Sequence, residues 1–139
     1  MKKFILTDET IEMFGVTLHR IKAVRSFGNV KEGDLGGFVE NESNLSHYGS
    51  ACVFGSARVC GSACVCDDAC ISDDADYIVF KNWWSSGRYF TWTRSNNMWS
   101  VGCFYGTGEE LIKKAYADSE KSGREYERVV KFVQSILEE

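Results

Sequence analysis

Histidine is nearly missing from this chain: only His19 and His47 occur in 139 residues. That scarcity limits the chemistry on offer, because imidazole is the usual general base and metal ligand near neutral pH. His47 stands in a repeat slot otherwise filled by aliphatics, which points to capping or packing. His19 lies in a predicted hairpin between Leu18 and Arg20. Neither has a nucleophile or carboxylate set beside it by sequence, so no catalytic base is expected. Long apolar runs are also lacking. No stretch approaches the ~20 residues that cross a bilayer, and the opening MKKFILTDETIEMF carries charges where a signal peptide is apolar. The expectation is a cytoplasmic protein with no membrane partner. Strong charge of one sign is absent too. A net charge of −4 argues against direct nonspecific DNA binding, leaves room for a local basic pocket, and is too modest for a DNA mimic. Six cysteines are present, but neither CxxC spacing nor a histidine pair accompanies them, so neither a metal nor a cofactor is expected.

What the chain does have is a six-residue period. From His47 to Asp76 it reads HYGSAC, VFGSAR, VCGSAC, VCDDAC, ISDDAD. The first slot holds His47, Val53, Val59, Val65 and Ile71, and the fifth is always alanine: Ala51, Ala57, Ala63, Ala69, Ala75. Between them sit Gly49, Gly55, Gly61, Asp67 and Asp73, residue types that tolerate a tight corner with positive φ. Alanine and the next aliphatic are two apart, so on a strand they point to one side. A helix is excluded, because a six-residue step scatters the aliphatics around a 3.6-residue cylinder. Val39 and Leu45 fall twelve and six residues before Ala51, which starts the repeat region near Leu35. The cysteines on repeat positions (Cys52, Cys60, Cys64, Cys66, Cys70) flank the inward slots and should face outward, reduced, with Cys52 and Cys70 stacked and Cys64 and Cys66 straddling Val65.

These hexads resemble the hexapeptide-repeat superfamily of left-handed parallel β-helices, in which three hexads make one triangular turn. The resemblance implies about two turns here, too short to stand without caps and partner chains. A homo-oligomer follows as an expectation: a trimer by family likeness, or a dimer if the C-terminal helices mediate it. A closer likeness appears outside the hexads. LHRIKAVRSFGNVKEGDLGGFVENESNLS leads into them, DDADYIVFKN leaves them, and a stretch from Arg94 through WSVGCFYGTGEEL follows. Together these are similar to phage- and prophage-encoded hexapeptide-repeat proteins of the polymer-forming or transferase-like group.

The flanks complete the expected fold. Residues 1–34 read as an N-terminal hairpin cap turning at Gly15, residues 35–76 as the β-helix, and residues 77–139 as a β-meander with two helices. The fold class is therefore mainly β with C-terminal helices: a short left-handed parallel β-helix, capped by a hairpin and followed by an antiparallel meander and two α-helices. GDLGG mimics a phosphate cradle, but no strand–loop–helix frame surrounds it, so a connecting turn is expected. YIVFK, RYFTWTR and MWSVGCFY alternate as strands, with Arg88, Phe90, Trp92 and Arg94 on one side. Thr107 and Glu110 form a capping box. Gly123 is the expected break, and Tyr126, Val129, Val130, Val133, Ile136 and Leu137 make the apolar stripe of the last helix.

The binding candidates are Arg88, Trp92 and Arg94, with Trp83, Trp84 and Trp99 nearby. Guanidinium groups grip phosphate, and indole rings stack on bases or anchor interfaces. The same rings also suit a core between sheet and helices. A secondary acidic surface is expected at Asp68, Asp74 and Asp76, again with solvated turns as the plain alternative. The resemblance and the sparse catalytic set lead to a non-enzymatic phage counter-defence protein. It would inhibit a bacterial immune component in an anti-CRISPR-like way or sequester a nucleotide second messenger. A degenerate or active hexapeptide acyltransferase and a phage assembly module remain alternatives.

Overall fold

The computed structural model describes residues 2–138, apart from the Asp74 side chain. β1 (Phe4–Met13) and β2 (Val16–Ala23) form the expected hairpin. Its two-residue turn has φ 52° at Phe14 and 80° at Gly15, the double positive φ that matches strand twist. The loose alternation of Leu18 and Ile21 has a cause: the register slips between Leu6 and Thr10. β3 (Leu35–Val39) pairs antiparallel with β2. Two of the GDLGG glycines lie inside this strand. A side chain at Gly36 would run into the Val53 carbonyl and Ile21, and one at Gly37 into the Ala57 carbonyl and Val53. They are there for close backbone approach, so residues 35–37 are strand, and the expected turn is confined to Gly33, where φ is 93°.

The hexads do not build the left-handed β-helix expected of them. Their strands are two residues long: β4 (Cys52–Val53), β5 (Arg58–Val59) and β6 (Cys70–Ile71). β5 runs parallel to β3 and so joins the hairpin in one mixed sheet of order β1-β2-β3-β5. β4 and β6 form a separate parallel pair, and Leu45 and Val65 meet as an isolated parallel bridge. The physical reason is strand length. Corners at Gly49, Gly55, Gly61 and Asp67, with φ between 59° and 70°, leave two extended residues between them. Sheet continuity is then decided by neighbours such as β2.

The slot assignment holds, with a shift in phase. Ala51, Ala57, Ala63 and Ala69 are buried together with Val53, Val59, Val65 and Ile71 in one core. Val39 pairs with Val59 and Leu45 bridges to Val65, so both occupy aliphatic slots and not the alanine phase. His47 therefore loses the slot assigned to it: Leu45 fills it two residues earlier. Ala75 is exposed inside a 3-10 turn (Asp74–Asp76), where the period ends.

β7 (Tyr77–Lys81), β8 (Tyr89–Thr93), β9 (Met98–Val101) and β10 (Phe104–Gly106) form the antiparallel meander in chain order. α1 (Gly108–Asp118) starts at the Thr107–Glu110 capping box. α2 (Glu120–Leu137) starts at Ser119, whose hydroxyl accepts from the Ser122 amide. The break is thus at Ser119. Gly123 lies inside α2, because any side chain there would strike the Tyr116 ring. The meander is covered on both faces. Ile78, Phe80, Phe90, Trp92 and Trp99 pack with Leu111, Tyr126, Val130 and Val133 of the helices. On the opposite face Tyr77 and Val79 meet the repeat core, and Thr91 Oγ1 accepts from the Cys64 amide at 3.1 Å. Among the described residues no helix is long and apolar enough to cross a membrane.

Candidate functional site

The predicted arginine–tryptophan surface is divided by this double cover. Trp92 and Trp99 are 0% and 1% exposed, and the Trp92 indole N–H donates to Asn97 Oδ1 at 2.8 Å. They are core residues, which corrects their assignment to a binding face. The alternation reading assumed one wet face, whereas the sheet has none at its centre. Arg88 and Arg94 flank opposite ends of β8, six residues apart, which on a strand is roughly 20 Å. They do not converge on one ligand. Trp84 is half-buried, edge-on to Tyr126 at 4.9 Å, with its N–H donating to Ser122 Oγ. Trp83 is 66% exposed, with the Lys121 ammonium 5.6 Å from its ring.

Around Arg88 a cleft does form, of about 230 Å³, between the β7–β8 turn, β10 and the two helices. Its organiser is Asn82, which is buried. The Asn82 side-chain oxygen accepts from the amide and hydroxyl of Ser85, and its amide group donates to the Tyr126 hydroxyl at 3.4 Å. The Asn82 amide donates to the Arg88 carbonyl and the Gly87 amide to the Asn82 carbonyl, closing the turn at Gly87, where φ is 72°. The Arg88 guanidinium lies across the β9–β10 turn, filling the space a side chain at Gly102 would need. Lys114 and Asp118 of α1 complete the rim. Burial raises the Tyr126 pKa, while its bond from Asn82 and the nearby Arg88 charge pull it back and Asp118 pushes it up. Two cations, one carboxylate, an amide and a phenol thus share one opening. Sequence reasoning found Arg88 but missed Asn82, at the start of its own turn, and Lys114 and Tyr126, which reach it from the two later helices.

No family model matches the chain, and no curated protein matches it. Its site is read from its own chemistry.

The acidic surface is largely spoken for. Asp76 Oδ2 accepts from the Ser72 and Asp73 amides and the Ser72 hydroxyl, capping the 3-10 turn. Asp68 accepts from the Asn96 side chain at 2.8 Å, tying the repeat to the meander. The Asp74 side chain, also expected on this surface, lies outside the described residues. The histidines are engaged as well. His47 stacks on Phe4 at 4.3 Å, accepts from the Lys3 amide at Nδ1 and meets Glu42 through Nε2. His19 Nδ1 contacts the Thr7 carbonyl at 3.1 Å.

The repeat cysteines lie outside the buried Ala–Val core, as their slots implied, and are half-buried. Cys52 and Cys70 do stack: they are register partners, with sulfurs 3.2 Å apart. The Cys64 pKa is lowered, chiefly by a hydrogen bond from Cys66 and less by one from Ser100, against the opposing effect of burial, and the Cys66 pKa is raised in turn. Among the described residues no three His, Cys, Asp or Glu side chains gather as a metal-binding group. A larger cleft of about 620 Å³ opens on the repeat side, walled by Phe27, Val30, Leu35 and Phe54, with Cys52 and Cys70 in its lining. The only hint of it in the sequence is aromatic residues at Phe27 and Phe54, placed where turns are expected.

Proposed function

We propose that this protein acts by stoichiometric binding of an anionic, ring-bearing ligand at the Arg88 cleft. A nucleotide second messenger of a bacterial defence system fits best. The observation that carries the reading is the convergence of Arg88 and Lys114 on a polar pocket built by Asn82 and Tyr126; exposed Trp83 is the residue next to Asn82 in the chain. Guanidinium and ammonium groups take phosphate, a fixed amide and phenol take polar base edges, and an exposed indole can cover a base. The counter-defence setting rests on the resemblance to phage-encoded hexapeptide-repeat proteins. Titration calorimetry against cyclic and linear nucleotides tests it. Binding should weaken at least about tenfold in Arg88→Ala and in Lys114→Ala, and fall as salt rises. Tight binding that ignores both substitutions, or none to any nucleotide, would sink this reading. A second reading keeps the surface and changes the ligand. Trp83 under Lys121 is also the kind of aromatic–cation pair that anchors an acidic protein surface. Pull-down of a defence protein lost on Trp83→Ala, without nucleotide binding, would favour it.

A further inference from the structure

We infer that Cys52 and Cys70 are a reversible dithiol–disulfide couple, a modification site reached through the large cleft on the repeat side. Their sulfurs are 3.2 Å apart on directly paired residues of parallel strands, and both side chains line the 620 Å³ opening. The sulfurs are already within about 1.2 Å of the ~2.05 Å disulfide bond length. The roles of the two thiols differ. The Cys52 thiol donates to Cys70, and burial pushes its pKa up to about 12, so Cys70 is the entering nucleophile. The Lys3 ammonium, donated to the Ala51 carbonyl at 2.7 Å, lies close enough to favour the Cys52 thiolate when that sulfur has to act second.

The oxidant is a small-molecule disulfide, RSSR. The Cys70 thiolate attacks one sulfur of RSSR, forming a mixed disulfide and releasing RS⁻, which takes up the proton Cys70 gave. Cys52, losing its proton to solvent, then attacks the Cys70 sulfur, closes the Cys52–Cys70 bond and expels the second RS⁻. Two protein thiols are oxidised by two electrons, and one RSSR is reduced to two RSH. The closed bond would join β4 to β6, which otherwise share a two-residue pairing, and would shut an 18-residue loop of chain. This site is separate from the Arg88 cleft, and either assignment stands without the other.

The test uses oxidised glutathione on the full chain and on a variant with Cys60, Cys64, Cys66 and Cys103 changed to Ser. Both should gain a Cys52–Cys70 cross-link by peptide mass mapping, and the unfolding midpoint should rise by about 10 °C, reversed by dithiothreitol. Cys52→Ser should stop at glutathione attached to Cys70, whereas Cys70→Ser should form neither product at this site. A wild-type cross-link between Cys64 and Cys66 alone would overturn the assignment. So would glutathione reacting at Cys103 while Cys52 and Cys70 stay reduced. If the four-serine variant does not fold, the wild-type map and the Cys52→Ser adduct decide.

Discussion

Lys3 offers the sharpest test of the packing. It is 0% exposed, with its ammonium donating to the Ala51 carbonyl at 2.7 Å and resting 4.3 Å from the Phe27 ring centre. Its pKa is lowered from the ordinary 10.5 to about 8, chiefly by burial; Cys52 opposes the shift and Arg25 adds to it. Below pH 8 both folded and unfolded chains carry the charge, and the folded state bears the full desolvation cost. Between 8 and 10.5 the folded chain releases a proton that the unfolded chain keeps, so stability must rise with pH. The displacement is worth up to about 3 kcal/mol. Tyr105 and Cys52, each pushed up to about 12, act the other way as the unfolded chain ionises first. The readout is therefore the difference between wild type and Lys3→Met, by urea unfolding across this range. Wild type should gain about 3 kcal/mol on the variant between about pH 7 and 10.5. A difference that stays flat would refute the burial of a charged Lys3.

Other outcomes follow from the double cover and the repeat core. Trp92→Ala should cost about 3–5 kcal/mol by chemical denaturation, whereas Trp83→Ala should cost under about 1 kcal/mol; near-equal losses would contradict the burial difference. Val59→Asp, which puts a carboxylate among fully buried Ala and Val side chains, should leave no cooperative thermal transition; a soluble, cooperatively melting variant would count against this core. Light scattering should find a dimer or trimer at micromolar concentration, because the ten-residue β1 is an open edge of its sheet; a monomer would remove that expectation.

The sequence was most legible where one residue type had one reason to be there. Alanine and the aliphatic two residues on have to share a side, and from Ala51 with Val53 to Ala69 with Ile71 they are the buried residues. Which strands would pair could not be read, because a two-residue strand carries too few hydrogen bonds to choose its sheet, and β3 was already joined to β2. The meander and its helices were visible from alternation and from the Thr107 cap. Trp92 and Trp99 were misassigned because alternation reveals which residues share a face, not whether a second layer covers it. Gly123 misled for a related reason: a glycine that breaks a helix and one that admits the Tyr116 ring look alike in one dimension. In the candidate site, Arg88 was found by type, but Asn82 was not, since a buried amide organising a turn leaves no periodic trace.

The seam between repeat and meander also constrains the order in which the chain can fold. Residues 77–138 are built from neighbours: each strand of the meander pairs with the next, and the two helices follow directly. The repeat needs partners 18 to 20 residues away, as in Val53 with Ile71 and Val39 with Val59, and such closures are slower. It also lends backbone donors outward, since the Cys64 and Cys70 amides end on the hydroxyls of Thr91 and Ser95. On a ribosome the slow half emerges first, yet those two amides cannot find their acceptors until residue 95 has left the tunnel. The half made last is thus the template on which the half made first completes its bonding.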